Sequence, residues 1–481
     1  MKLTAAEWAE ATGGEILAGD PTAFVGGDGP GGLSIDSRSV REGQWFIALR
    51  GKSGRDGHEF LSNAIFAGAA GVIVSDREAY ESLVASRLPD LNALLVGDTT
   101  IALADAARAI LDKFRPFVIA ITGTVGKTSV KENIAHIAST RWPTLKNAHN
   151  WNTEIGVPLT IFDLGPHHRV AVIECATRGK GQIGYLSNIV KPDVAAITSI
   201  GPGHLSEFGS IERVAEGKWE IVEGLKENGV VVAPGGSIYT ARFRGNHRLI
   251  TFGLEEADTV HPVDISSDEK SMQCTIATPM GSFAAKIPGI GLADLLNTLC
   301  ATACAMEIKV GKGKAIESPT LDEIADAINT LPSTPGRMET IVRPSGIEVI
   351  FDAYNSNPLS LRNALEVLAT RTILSDGSPV LRRVAVLGDM LELGKDQERY
   401  HSDAGRLVAE LGIDCVITVG ELAAFIRTAA EEHRGGTIEG RHFGSTEECT
   451  AELSKWLRPG DLVLIKASRG LAFERMLKGG W

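Results

Sequence analysis

The 481-residue sequence is poor in cysteine and has no cysteine pattern. Its six cysteines, Cys175, Cys274, Cys300, Cys304, Cys415 and Cys449, include no CxxC pair. Cys300 and Cys304 stand one helical turn apart, but no histidine or cysteine cluster accompanies them. Metal-ligand spacing is therefore absent, and the expectation is six reduced, mostly buried thiols. Such usage fits a cytoplasmic protein. Uninterrupted apolar runs of about 18 residues are also missing, so no membrane span is expected. The opening residues, Met1-Lys2-Leu3-Thr4-Ala5-Ala6-Glu7, lack the apolar centre of a signal peptide. No long basic run occurs, and the formal charge is −12, from 48 Lys and Arg against 60 Asp and Glu. That balance argues against nucleic acid as the main partner. It leaves anionic ligands open, because local backbone amides hold phosphate on an acidic protein as well as on a basic one.

What is present is ordinary for a soluble globular protein: 43% hydrophobic and 22% charged residues. The length suggests two to four domains, each large enough to bury a core without disulfides or metals. Three blocks separate on pattern. Residues 1–115 carry short β-like runs, Gln44-Trp45-Phe46-Ile47-Ala48-Leu49 and Gly71-Val72-Ile73-Val74, around a helical stretch at 59–69. This alternation predicts an α/β module. Residues 116–335 begin with the strand Phe117-Val118-Ile119-Ala120-Ile121. A helix is expected from near Ser129, with Val130, Ile134 and Ile137 as its apolar stripe. Further buried strands are expected at 169–173 and 194–200, giving a parallel sheet. From 229 to 290 the pattern predicts an antiparallel elaboration. Residues 336–481 repeat the parallel-sheet pattern at 348–351, 384–387, 415–419 and 462–465 and read as a Rossmann-like domain.

The strongest chemical signal is the loop Gly123-Thr124-Val125-Gly126-Lys127-Thr128-Ser129 between a buried strand and a helix. Backbone N–H groups at such a helix start face phosphates, with Lys127 reaching the β/γ-phosphates and Thr128 holding Mg²⁺. The usual spacing wants a glycine where Ile121 stands, so the loop is a shorter variant. Glu174 ends the strand beside it, where an acid is a natural Mg²⁺ ligand or merely solvated. His204, in Gly201-Pro202-Gly203-His204, follows the next strand and falls at the same sheet edge. Lys218 lies in an expected helix at 210–225, where pattern alone favours a solvated surface lysine. Asp352 and Asp389 each end a strand of the third block. Ligands collect at such ends of parallel sheets, but Asp, Asn and Gly also favour plain turns.

Taken together, these segments resemble the Mur ligase family, over nearly the whole chain. In the first block the resemblance rests on Ile35-Asp36-Ser37-Arg38, Gly43-Gln44-Trp45-Phe46, Ala48-Leu49-Arg50-Gly51 and Asp56-Gly57-His58, similar to the family's uridine-nucleotide-binding module. The second block adds Thr122 through Thr128, Asn152-Thr153-Glu154-Ile155-Gly156-Val157-Pro158 and His204-Leu205-Ser206-Glu207-Phe208-Gly209-Ser210. The third adds the two most discriminating segments, Tyr354-Asn355-Ser356-Asn357-Pro358 and Gly388-Asp389-Met390-Leu391-Glu392-Leu393-Gly394, with Lys466-Ala467-Ser468-Arg469-Gly470 after them.

The resemblance implies an ATP-dependent ligase of peptidoglycan precursor synthesis. It would join D-Ala-D-Ala to a UDP-muramoyl tripeptide through an acyl phosphate, as a cytoplasmic monomer. It implies that residues 123–129, Asn297, Arg337 and Asp352 bind ATP, and that Thr128, Glu174 and His204 hold Mg²⁺. Lys127, His204 and Lys218 would act in catalysis, with Lys218 matching a lysine that is carbamylated in several relatives. Ser37, Arg38, Asn152, Tyr354, Asn355, Asn357, Asp389, Lys466 and Ser468 would meet the substrates. This chain reads Ala293-Asp294 where the family often has His-Asn before the adenine-side Asn297. The segment 174–181 also replaces a common glycine-containing version, keeping the acid. Pro335-Gly336 suits a hinge, with Arg337 and Asp352 crossing to the nucleotide. Two alternatives stay open: another ligase of the same family with a different nucleophile, and a P-loop kinase or nucleotide switch.

Overall fold

Three sheets, each a run of strands too apolar to leave exposed, organise the chain. The computed structural model describes residues 3–26, 32–51, 54–85, 91–148, 150–177, 179–268, 271–312, 315–332 and 335–479. The first sheet has five strands in the order Glu15–Ala18, Asn92–Leu95, Gly71–Val74, Trp45–Ile47, Leu33–Ser34. All its pairs are parallel except the first, an antiparallel edge.

The central sheet has six parallel strands in the order Arg248–Phe252, Val230–Pro234, Val194–Ile197, Phe117–Thr122, Val170–Glu174, Thr144–Lys146. Every residue of Val170–Glu174 and Val194–Ile197 is buried, as expected where helices cover both faces. One face packs on helices Thr99–Phe114 and Gln182–Val190 and runs without a break into the first sheet's core through Trp8, Ile47 and Leu94. The other packs on Lys127–Ser139 and Leu292–Ala305.

The last sheet also has six strands, in the order Glu339–Val342, Glu348–Phe351, Asp461–Lys466, Arg382–Gly388, Cys415–Val419, Glu439–Phe443. Only its first pair is antiparallel. Separate cores lie on its two faces.

Several expectations need correction. Only 261–288 of the stretch 229–290 forms the antiparallel sheet, as His261–Ser267, Ser271–Thr278 and Gly281–Pro288. Val230–Pro234 and Arg248–Phe252 instead extend the parallel sheet; the first is almost wholly buried, and the second is an edge strand whose burial alternates as an antiparallel strand's would. The helix expected at 210–225 is Ile211–Trp219, and Glu220–Gly224 tightens into a 3₁₀ turn. The helix after the phosphate loop starts at Lys127, two residues before the expected Ser129. Its stripe of Val130, Ile134 and Ile137 is buried. All six cysteines are buried and free. Among the described residues no helix is long and apolar enough to cross a membrane.

Candidate active site

The loop 123–129 begins where Phe117–Thr122 ends and closes into helix Lys127–Ser139. Gly126 is the helix N-cap at φ 88°, a conformation that side-chain-bearing residues rarely adopt. A Cβ there would also run into the Asn297 amide, so the glycine lets helix Leu292–Ala305 lean over the loop. The neighbouring strand end fixes the loop. Val125 N–H donates to Ser199 Oγ at 2.9 Å, and the Thr198 and Ser199 hydroxyls donate to the Val125 carbonyl at 2.5 and 3.0 Å. The Lys127 ammonium donates to the Gly123 and Thr124 carbonyls at 2.7 and 3.2 Å. Burial holds it below its usual range, with Arg337 pushing the same way and Glu174 opposing.

Thr128 is the hub. Its hydroxyl donates to Glu174 Oε2 at 2.9 Å and accepts from Arg337 Nη2 at 3.1 Å. The other Glu174 oxygen accepts from Asn152 Nδ2 at 2.8 Å. Arg337 also lies over the Tyr354 ring at 4.4 Å, and Arg469 lies over the same ring at 5.2 Å. Arg337, braced on a tyrosine that Arg469 also stacks on, therefore joins the last domain to the phosphate loop. Between them opens a cleft of about 530 Å³, lined by Val125, Gly126, Ser129 and Asn297 on one wall and by Arg337, Asp352, Asn355 and Lys466 on the other. Clefts of this size accommodate small-molecule ligands.

Lys218 departs from its surface expectation. It is 1% exposed, and burial pushes its ammonium well below the usual range, with Lys127 acting in the same direction. The neighbouring Trp219 is buried as well, so the helix turns this face inward. His204 sits at φ 52° with Nδ1 2.5 Å from Glu392 Oε2 of the last domain. Burial lowers its pKa, Glu392 raises it, and Lys127 and Lys218 add to the lowering. Lys127, Glu174, His204 and Lys218 thus share one electrostatic environment.

Other sequence candidates make hydrogen bonds within the last domain. Asp389 Oδ1 accepts the Ala423 N–H at 2.7 Å, at the start of helix Ala423–His433. Asn357 caps helix Pro358–Thr370 by accepting from Ser360 N–H at 2.9 Å. Lys466 is 1% exposed and paired with Asp352 Oδ2 at 2.5 Å, and its ammonium also donates to the Asn355 carbonyl at 3.1 Å. Ser468 Oγ accepts the Leu391 N–H at 2.9 Å. Ser37 and Arg38 lie apart in the first domain, where the exposed Arg38 pairs with Asp36 at 2.7 Å. Sequence reasoning had not assigned roles to Glu392, Arg469, Thr198 and Ser199. The first two lay inside the motif segments, and only their neighbours were picked out.

A P-loop whose threonine is bonded to a strand-end carboxylate and to a second domain's arginine defines a nucleotide-using enzyme with an interdomain cleft. The Mur ligase middle-domain family matches residues 121–305, and the family described as Mur ligase, glutamate ligase domain matches residues 336–469. The chain belongs to the Mur ligase family. It is similar to the UDP-N-acetylmuramoyl-tripeptide–D-alanyl-D-alanine ligase of Bacillus subtilis, at 32% identity over 93% of this chain and 92% of that protein. The protein of that name in Escherichia coli is 29% identical over 99% and 98%. A crystal structure of MurF from Acinetobacter baumannii superposes with a TM-score of 0.84 at 28% identity, covering 99% of this chain and 98% of that one. MurF from Thermotoga maritima in complex with ADP gives 0.77 at 26%, covering 93% and 96%.

Proposed function

We propose that this chain joins D-Ala-D-Ala to UDP-N-acetylmuramoyl-tripeptide, converting ATP to ADP and phosphate. The Bacillus subtilis and Escherichia coli relatives carry that activity in their names and match along nearly the full chain. The observation that carries the reading is the reach of Arg337 across the cleft to Thr128, which puts last-domain groups beside the phosphate loop. A free carboxylate has a poor leaving group. Its oxygen attacks the γ-phosphorus of ATP, the bond to the β-phosphate oxygen breaks, and ADP leaves. The dipeptide amine then attacks the acyl carbon, phosphate departs with the bonding pair, and the amine's proton is lost. Lys127 and Arg337 offset charge on the transferring phosphoryl group.

Among the described residues no cluster of three or more His, Cys, Asp or Glu is placed to hold a metal by itself. The donor set at Thr128 and Glu174, one hydroxyl and one carboxylate, suits a magnesium ion that takes its remaining ligands from phosphates and water. Those two residues, with His204 beside them, would hold it, and it would supply charge neutralisation. The buried amine of Lys218 supports a carbamate there, since a lowered pKa leaves more of the neutral amine that adds to carbon dioxide. Asn297 and Asp352 would flank the nucleotide, and Ser37 and Arg38 the uridine end. The reading includes a monomer in the cytoplasm, the compartment being supported by six free cysteines. Divisions at 1–115, 116–335 and 336–481 would serve as uridine-substrate, ATP and amine-substrate domains, supported by one principal sheet in each.

Phosphate release tests the reading. It should require both the UDP-tripeptide and ATP, with ligation requiring D-Ala-D-Ala in addition. Phosphate release indifferent to the UDP-peptide would favour a kinase or nucleotide switch. Ligation of a single amino acid in place of the dipeptide would favour another ligase of the family.

A further inference from the structure

The contact between His204 and Glu392 is hard to explain as stabilisation. The side chains remain 28% and 48% exposed, and the approach of Glu392 to the buried His204 Nδ1 is an ion-pair contact without hydrogen-bond alignment, so it contributes little. Both residues also hold left-handed backbone, at φ 52° and φ 63°, which non-glycine residues avoid. The arrangement is nonetheless tied down from both sides. The Glu392 carbonyl accepts the Ser206 N–H at 3.2 Å, so backbone as well as side chain crosses between the domains. Within its own domain the turn is fixed where Met390 N–H donates to His401 Nε2 at 2.9 Å and Leu391 N–H donates to Ser468 Oγ at 2.9 Å. Glu392 is therefore carried rigidly by the last domain. His204 is carried by the loop that follows the central strand Val194–Ile197. Such local strain, spent on a weak pair at a domain contact, points to function.

We propose that Glu392 is a positioning residue: it anchors Nδ1 of His204 when the last domain docks, so that this imidazole is set for the metal–nucleotide complex only in the docked state. A carboxylate on one ring nitrogen leaves the other to carry the lone pair, the arrangement by which metal-side histidines are oriented. Lys127 and Lys218, two basic side chains, are the other groups acting on this ring, and Glu392 is the carboxylate among them. The last domain's place on the central domain is thereby coupled to metal binding, through a residue that need not touch the metal. The inference rests on the reading of His204 as a metal-side residue.

The test is Mn²⁺ binding to the ADP-loaded full chain, followed by electron paramagnetic resonance, for wild type, Glu392→Ala, Glu392→Gln, His204→Ala and the alanine double variant. Glu392→Ala should weaken Mn²⁺ about tenfold or more, the range for lost outer-sphere partners, with metal-free ADP affinity unchanged within about twofold. Glu392→Gln keeps an acceptor oxygen and should lose less than about threefold; a loss as large as that of alanine would overturn anchoring by an acceptor. The double variant should bind Mn²⁺ no more weakly than His204→Ala alone, because Glu392 acts through His204. Wild-type affinity in Glu392→Ala, with weakened binding in His204→Ala, overturns the proposal and leaves His204 at the metal. Wild-type affinity in His204→Ala removes that reading and the proposal with it.

Discussion

The two walls of the cleft use similar polar residues in opposite ways. On the central side, Lys127 donates back to the phosphate loop's own carbonyls, while Thr128 bonds to Glu174 and to Arg337 from the last domain, at the start of a helix where backbone amides have no intrahelical partner. In the last domain, Asp389, Lys466 and Ser468 stand at or just past strand ends and Asn357 at a helix start, and each makes hydrogen bonds inside that domain. A strand-end acid thus meets the phosphate-loop threonine on one side and a helix start on the other. The difference lies in whether a nearby helix or loop has already claimed it. The side chains that cross from it to the central domain are Arg337, braced on the Tyr354 ring, and Glu392.

The comparison breaks most visibly at Lys127. Lys127→Ala should lower kcat for ADP formation by on the order of 10³-fold, the scale of removing one preorganised charged donor, with little change in unfolding. Steady-state ADP formation beside a denaturant titration checks this; a wild-type rate would remove the mechanism. Lys466→Ala should behave in the opposite way. It strands the mostly buried Asp352 carboxylate, and loss of one partner of such a pair costs about 3–5 kcal/mol. Chemical denaturation should show that loss. If activity fell while stability held, Lys466 would belong to the ligand-facing set.

How much of this was readable follows the range of the interactions. Strand, loop and helix around 117–139 are set by neighbours in sequence, so their type and order were legible. Glu174 was legible for the same reason, as a strand end beside that loop. Lys218 was not, because its burial comes from packing of a whole helix face and a lone lysine in a short helix carries no sign of it. Asp389 and Asn357 were ambiguous in principle: the residue types that bind ligands at strand ends are those that cap helices. The pairing of Glu392 with His204 depends on two domains meeting, and the stacking of Arg469 on Tyr354 on distant segments of one domain; neither relation has a local pattern. The strand at 230–234 was missed because a covered strand does not alternate, and the one at 248–252 because, as an edge strand, it alternates as an antiparallel strand would.

Asp294 lies where the walls approach and ties the comparison to pH. It lines the cleft, its Oδ2 accepts the Gly291 N–H at 3.2 Å, and burial raises its pKa to about 6, with Asp352 adding repulsion. Because the folded value exceeds the unfolded one, the fold binds this proton more tightly, and stability falls as pH rises from about 4 to about 6. Asp294→Asn keeps an acceptor for Gly291 and removes the charge. It should stabilise the chain by roughly 1–2 kcal/mol at pH 7, a figure discounted for water in the cleft, and by nothing near pH 4. Denaturation at the two pH values decides it. An equal effect at both would mean that the carboxylate is not the cause.

The smallest effect is expected at Asp389. Asp389→Ala removes an acceptor from the start of helix Ala423–His433, a change worth about 1 kcal/mol. Burial already holds this carboxyl above its usual range, so part of its charge is costly and alanine recovers some of the loss. As a cap, Asp389 should affect the denaturation midpoint alone, with KM for D-Ala-D-Ala unchanged within about twofold. A KM raised tenfold at unchanged stability would correspond to about 1.4 kcal/mol of binding. It would move Asp389 from scaffold to ligand group, and the two walls would then differ in degree and no longer in kind.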